Sequence, residues 1–270
     1  LTFNCKANLT LTGQSSWFEW KLSGTLQYHC MLDDAYYAVI RNDGKDVIQR
    51  FDITLDDTVS TVDLNNVTYR IHFDNYSILN AGELTYDEST DLTTFTLPSG
   101  YHSTNQLAAY YQLDDDTIGS YTPATLVSGT TYSLPGDFSN GCYLGYLFDM
   151  EVELPKIYYQ TQISDNNFRS DVHSSLILHR LKLSLGHTGT YTTTLHRKGK
   201  SDYTQILEAV NTDLYTANTL AFKDIKFQTI PVYDRNSNVT VTIKSSNPSP
   251  ATLNSLTWEG DYSPKFYKRV

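Results

Sequence analysis

Hydrophobic and polar residues alternate with a period of two over long parts of this chain of 270 residues, the pattern of half-buried β-strands. Val239, Val241 and Ile243 alternate with Thr240, Thr242 and Lys244, which predicts an antiparallel strand with one face in a core. From Tyr143, the positions Leu144, Tyr146, Phe148, Met150, Val152 and Leu154 are apolar and stand opposite Asp149, Glu151 and Glu153 until Pro155. That spacing predicts one long two-faced strand. His173 to Leu185 places Ile177, Leu181, Leu183 and Leu185 on one face and Arg180, Lys182 and Ser184 on the other, and Thr188-Gly189 is expected to turn it into a hairpin with Tyr191 to His196. With Asp202 to Ala209, Leu220 to Thr229 and two C-terminal strands, residues 143–270 supply seven or eight strands. They predict an antiparallel β-sandwich, jelly-roll-like, whose inner face includes Tyr146, Phe148, Val152, Val241 and Ile243.

The N-terminal part reads differently. Leu26 to Met31, Tyr36 to Arg41 and Val47 to Ile53 are short strand candidates separated by Asp33-Asp34 and by Asn42-Asp43-Gly44-Lys45. Asp-Gly supplies the positive φ of a tight hairpin, so the three runs form an up-and-down meander led by Trp17 and Trp20. Such a meander suits one blade of a β-propeller and equally any small antiparallel sheet. Residues 56–140 are rich in acidic turns, with strand candidates at Val67 to Phe73, Leu92 to Leu97 and Thr130 to Leu134 and a short helix read at Asn105 to Leu113. The expected organisation is all-β in three segments: a propeller-like meander over 1–56, an acidic β/loop insertion over 57–142, and the sandwich over 143–270.

Charge divides the chain. Residues 1–155 hold six Lys/Arg against 21 Asp/Glu, a net of −15, whereas the remainder holds 14 against nine, a net of +5. An acidic body argues against a sequence-reading nucleic-acid binder, which needs a concentrated basic footprint. The acidic balance reads equally as a solvated surface or as walls that would repel phosphate. The triple aspartate Asp114, Asp115 and Asp116 invites a calcium reading, but consecutive residues cannot all face one ion, so it is read as an acidic surface loop. Cys5, Cys30 and Cys142 lack C-x-x-C spacing and leave at least one thiol unpaired, which argues against a disulfide framework and fits a reducing compartment. No metal site and no cofactor are expected.

Catalytic patterns are missing as well: no G-x-S-x-G, H-E-x-x-H, P-loop or G-x-G-x-x-G occurs. His173 and His179 beside Asp171 are the nearest thing to an acid–base pair, with no nucleophile tied to them. Abundant tyrosines and carboxylates fit a second function class, a glycan-binding or polysaccharide-degrading module, because sugars stack on aromatic rings and glycosidases use two carboxyls about 5 to 9.5 Å apart. Thirty acidic residues make that spacing unspecific.

The C-terminal end carries the sharpest signal. After a turn at Ser245 to Pro250 come Trp258-Glu259-Gly260-Asp261-Tyr262 and a basic aromatic tail with Lys265, Phe266, Lys268 and Arg269. Rigid aromatic area beside cations predicts an assembly surface made of Trp258, Tyr262 and those four tail residues. This ending, with Ile230-Pro231, Arg235-Asn236, the Val239 to Ile243 strand and Ser249-Pro250 before it, resembles tail tubular protein B, the nozzle protein of short-tailed, autographivirus-type podoviruses. Gln14-Ser15-Ser16-Trp17 with Trp20, and Tyr143 to Leu154, resemble internal segments of that family, while residues 75–135 match none of it.

The resemblance implies a non-catalytic structural protein of the virion tail, assembled in the host cytoplasm. It implies a sixfold ring of copies below portal and adaptor, a propeller around the channel through which double-stranded DNA transiently passes, and a C-terminal platform that meets the tail adaptor protein and the tail fibres. By position, the chain would be the C-terminal part of such a protein: 1–56 the end of the propeller, 57–142 a fibre-dock or nozzle-tip region, and 143–270 the platform. The start at Leu1, without Met, is read as a piece of a longer polypeptide.

Overall fold

The computed structural model describes residues 2–7, 14–19, 21–22, 24–33, 35–42, 44–51, 61–64, 67–101, 106–111, 121–164, 167–186, 188–207 and 226–264. Among them the chain is all-β in antiparallel sheets, with two 3-10 turns at Ala81–Glu83 and Asn236–Asn238 and no α-helix. It divides into two compact units, the first drawn from Leu1–Thr68, Phe73–Thr117 and Tyr121–Leu147, the second from Tyr69–His72, Ile118–Ser120 and Phe148–Val270.

The first unit begins with the pair β1 (Thr2–Ala7) and β2 (Gln14–Glu19). The predicted meander follows as β3 (Thr25–Leu32), β4 (Ala35–Asn42) and β5 (Lys45–Phe51), in sheet order β3-β4-β5. Both connections are two-residue loops: Leu32 pairs with Ala35 and Asn42 with Lys45. Asp33 and Gly44 take positive φ, 46° and 76°, as such tight turns require. The meander buries Tyr36, Ala38, Ile40 and Phe51, with Leu22 and Leu26 packed against them. Next come β6 (Thr61–Leu64) and β7 (Val67–Arg70), which form a separate pair.

The acidic segment folds into its own sandwich. Its strands are β8 (Asp74–Leu79), β9 (Leu84–Asp87), β10 (Leu92–Thr96), β11 (Leu107–Tyr111), β12 (Tyr121–Pro123), β13 (Thr125–Ser128), β14 (Thr131–Pro135) and β15 (Cys142–Tyr146). One sheet runs β13-β14-β10-β9 and the other β12-β11-β15-β8, and their facing side chains share one core that includes Phe95, Leu107, Leu134, Phe138 and Leu144. Tyr101 ties the second sheet together: its buried hydroxyl reaches the Asn75 and Leu144 carbonyls, the latter at 3.0 Å, and lies 3.1 Å from Ser77 Oγ. Burial raises the Tyr101 phenol far above its ordinary value and pushes the Cys142 thiol up to about 12, so both stay protonated and structural. Cys30 and Cys142 are free cysteines.

Two sequence expectations change here. Residues 107–111, read within a helix, are β11, an interior strand whose Ala108, Ala109 and Tyr110 are fully buried. Pairing on both sides with β12 and β15 outweighs the helix propensity of two alanines. The run from Tyr143 to Leu154 is two strands rather than one: β15 ends at Tyr146, and β16 (Met150–Glu153) belongs to the second unit. Tyr146 therefore lies in the core of the first unit, and Val152 is 46% exposed instead of inward-facing.

The second unit continues with β17 (Tyr159–Ser164), β18 (Asn167–Asp171), β19 (Ser175–Leu185), β20 (Tyr191–Arg197), β21 (Tyr203–Leu207), β22 (Lys226–Arg235), β23 (Val239–Ser245) and β24 (Leu253–Ser263). Sheets β16-β23-β20-β21 and β22-β19-β24 pack face to face as a sandwich, and β17-β18 is a hairpin by itself. The sandwich core takes leucines from β19, Tyr191 and Leu195 from β20, Ile230 and Val232 from β22, and Val239, Val241 and Ile243 from β23. The expected hairpin between β19 and β20 does not form. Those strands sit in opposite sheets, and the connection is held by Gly189 N–H donating to the Pro250 carbonyl at 2.7 Å.

Along β19 the buried positions are Leu176 and Leu178, then Leu181, Leu183 and Leu185, and Ile177 faces outward. A register shift between Leu178 and Arg180 appears against both neighbouring strands: against β24 the extra residue is His179 of β19, and against β22 it lies on β22, where Val232 and Tyr233 stand opposite His179. One extra residue exchanges the two faces, so Ile177 leaves the face the sequence assigned to it.

Candidate assembly surface

The segment Trp258-Glu259-Gly260-Asp261-Tyr262 forms the second half of β24, against the bulged part of β19. Period-two geometry sends Trp258 and Tyr262 inward, where both pack on the sandwich core. Gly260 faces the bulge, and a Cβ there would lie 2.1 Å from the Ile177 carbonyl oxygen. Only glycine lets the two backbones approach this closely. Glu259 and Asp261 point to the outer face. Glu259 pairs with Lys182 and, at 3.0 Å, with Arg180, while Asp261 lies 3.1 Å from His179. The hydrogen bond from Lys182 holds the Glu259 carboxyl below the usual range.

Tyr262 joins β24 to the β17–β18 hairpin. Its hydroxyl donates to Asp171 Oδ2 at 2.9 Å, and its ring stacks on Tyr159 with centroids 4.0 Å apart. That hydrogen bond lowers the Asp171 carboxyl and raises the Tyr262 phenol. Asp171 Oδ1 accepts the backbone N–H groups of His173 and Ser174, both at 3.1 Å. The carboxylate is thus a turn cap. His179 instead approaches Asp261 and the ring of Tyr233, so the residues read as the nearest acid–base pair are not assembled into one.

Of the predicted assembly residues, Trp258 and Tyr262 are on one strand and partly buried. Lys265, Phe266, Lys268 and Arg269 lie outside the described residues, as do Asp114, Asp115, Asp116 and Trp20. Among the described residues no group of three or more His, Cys, Asp or Glu is placed to hold a metal ion. Residues 71–147, which include the first unit's eight-stranded sandwich, contain nine acidic residues and no Lys or Arg. Asp87 and Asp137 are held below the usual carboxylate range by hydrogen bonds from Ser89 and Ser139.

The other sequence signals near the C-terminus also have structural explanations. Ile230 is core and Pro231 lies on the outer edge strand, where a missing N–H is tolerated. Asn236 is buried and its Nδ2 donates to the Ile157 carbonyl at 2.9 Å, fixing the segment between β16 and β17. Beside it, Asp234 accepts from Lys200 Nζ at 2.7 Å, from the Arg235 backbone N–H at 2.8 Å and from Asn238 Nδ2 at 3.2 Å.

These contacts, the Lys200 bond first, hold the Asp234 carboxyl down to about 2. A carboxyl depressed in the folded state adds stability that is present above its unfolded value near 4 and lost as pH falls toward 2. Asp234→Asn is therefore expected to lower the urea midpoint at pH 7, with the gap from wild type closing between about pH 4 and 2. A gap that stays constant across that range would show that the charge is not what stabilises this corner.

The family model for the bacteriophage nozzle protein matches residues 7–269. The chain belongs to the nozzle protein family. It is accordingly a structural component of the phage tail, and the all-β antiparallel architecture is that of this nozzle-family chain. No individually curated protein matches it. What reading the nozzle sequence missed is the role of Gly260, and the hairpin that Tyr262 holds. The signal for the first was present in the leucine spacing of β19, which changes parity across His179.

Proposed function

We propose that the chain forms part of a ring-shaped nozzle, a homo-oligomer of sixfold symmetry, whose wall conducts double-stranded DNA during genome ejection. In this reading residues 1–56 complete a propeller-like region, 57–142 form the nozzle tip or fibre dock, and 143–270 form the platform that meets the tail adaptor and tail fibres. The ring assembles in the host cytoplasm and ends in the virion tail. The observation that carries the reading is the family match over nearly the whole chain. The cation-free sandwich of residues 71–147 supports the conduit role, because a surface without Lys or Arg offers phosphate no counter-charge. The protein works by shape and charge and carries out no reaction of its own.

The test is to change Glu83, Asp87, Glu88 and Asp91 together to Lys in the phage. All four side chains are exposed, and because Glu83, Asp87 and Asp91 accept local hydrogen bonds, the variant's melting temperature is read alongside delivery. Particles are expected to assemble and adsorb as wild type but to deliver DNA more slowly, in a salt-dependent manner. Wild-type delivery at low salt would remove the charge argument. Native mass spectrometry of the wild-type protein tests the ring directly. Release of oligosaccharides from host capsule or lipopolysaccharide would favour the polysaccharide-degrading module instead.

A further inference from the structure

We infer that the β17–β18 hairpin of one copy of this chain pairs with the open edge of β24 in a second copy, an inference that rests on the ring reading above. The second-unit sandwich has four edge strands, and three are blunted. β16 has four residues, with Pro155 shortly after it, β21 has five, and β22 carries Pro231 and a kink at Tyr233, whose φ is 46°. Short length, proline and irregular backbone are the usual means of stopping edge-to-edge pairing. β24 is neither short nor interrupted by proline, and its one irregularity, an extra residue at Asn254, lies at its first end. It runs for 11 residues without Pro, Lys or Arg, and no described strand lies beyond it.

The hairpin has the opposite deficit. Apart from its base residues Tyr159 and Asp171, every described residue is exposed, including Ile163 at 61% and Phe168 at 58%. A two-stranded ribbon with both faces in water is marginal alone and gains most from a third strand. Tyr262 clamps the hairpin's base to its own β24, yet the two form no ladder within the chain. Arg169, the hairpin's one cation beside Asp165 and Asp171, offers a partner to Asp261 of β24, whose side chain is 75% exposed. Each copy therefore carries one arm and one acceptor edge. Such a head-to-tail contact builds a ring where the rotation between copies closes, and the clamp sets the direction in which the arm leaves.

The test uses two variants with changes only at exposed positions: an arm variant, Ile163→Asp with Phe168→Asp, and an edge variant, Thr257→Lys with Asp261→Lys. Masses are read by native mass spectrometry, and folding by circular dichroism and melting temperature. Wild type is expected to form rings and each variant to stay monomeric. An equimolar mixture is expected to give dimers and nothing larger, because the one compatible contact joins the edge variant's arm to the arm variant's edge. Dimer formation also shows that both variants are folded. Rings from either variant alone, or a mixture that remains monomeric, would overturn the arm-to-edge pairing while leaving the ring reading intact. Monomeric wild-type protein would overturn both.

Discussion

Gly260→Ala is expected to destabilise the second unit by at least about 3 kcal/mol, well beyond what a single methyl group costs on a surface. The alanine Cβ would sit 2.1 Å from the Ile177 carbonyl oxygen and 3.1 Å from Leu178 Cα. These are backbone atoms of the central strand β19, so no side chain can swing aside. β24 must instead move off β19, which weakens the ladder and withdraws Trp258 and Tyr262 from the core. Gly82→Ala is the control: a Cβ there meets nothing within 4 Å, and it is expected to be neutral. Urea unfolding followed by tryptophan fluorescence compares them. Equal midpoints for Gly260→Ala and wild type would show that the strands separate without cost.

Val241→Asp is the second large effect. Val241 lies in the middle of β23, paired with Leu195 on one side and buried in the sandwich core. A carboxylate there has no cation to meet, and a loss of several kcal/mol is expected at pH 7. Burial raises the folded-state value of such a group, so the defect is greatest above that value and shrinks as acid neutralises the carboxyl. Val152→Asp provides the contrast. In the sequence Val152 looks like the same kind of inward position, but it stands half in solvent on the short edge strand β16. It is expected to change stability by less than about 0.5 kcal/mol. Similar losses from the two substitutions in thermal melts would contradict the assignment of β16 to the sandwich's edge.

Local pattern carried much of this protein's structure into view. The meander of β3, β4 and β5 was legible because Asp-Gly and Asp-Asp stand where two-residue loops need positive φ. β23 was legible because three β-branched residues alternate with polar ones, and the family was legible from the order of short motifs that the match over residues 7–269 bears out. Alternation and turn chemistry depend on neighbours in sequence, so they survive without knowledge of the fold.

Pairing partners do not. Nothing local distinguishes the hairpin β19–β20 from two strands on opposite sheets, since both need the same apolar faces, and the choice falls to β22, β23 and β24 from further along the chain. The same applies to residues 143–154, whose unbroken alternation hides the point at which the chain leaves one core for another. Two alanines in β11 became strand because neighbours on both sides supplied hydrogen bonds. Sequence by itself determined that this is an all-β nozzle-family chain with an acidic body and a Trp-Glu-Gly-Asp-Tyr ending. Tertiary structure alone decided that the ending is a lock around the bulge at His179, because the need for glycine arises only where two backbones meet at a distance that no local pattern encodes.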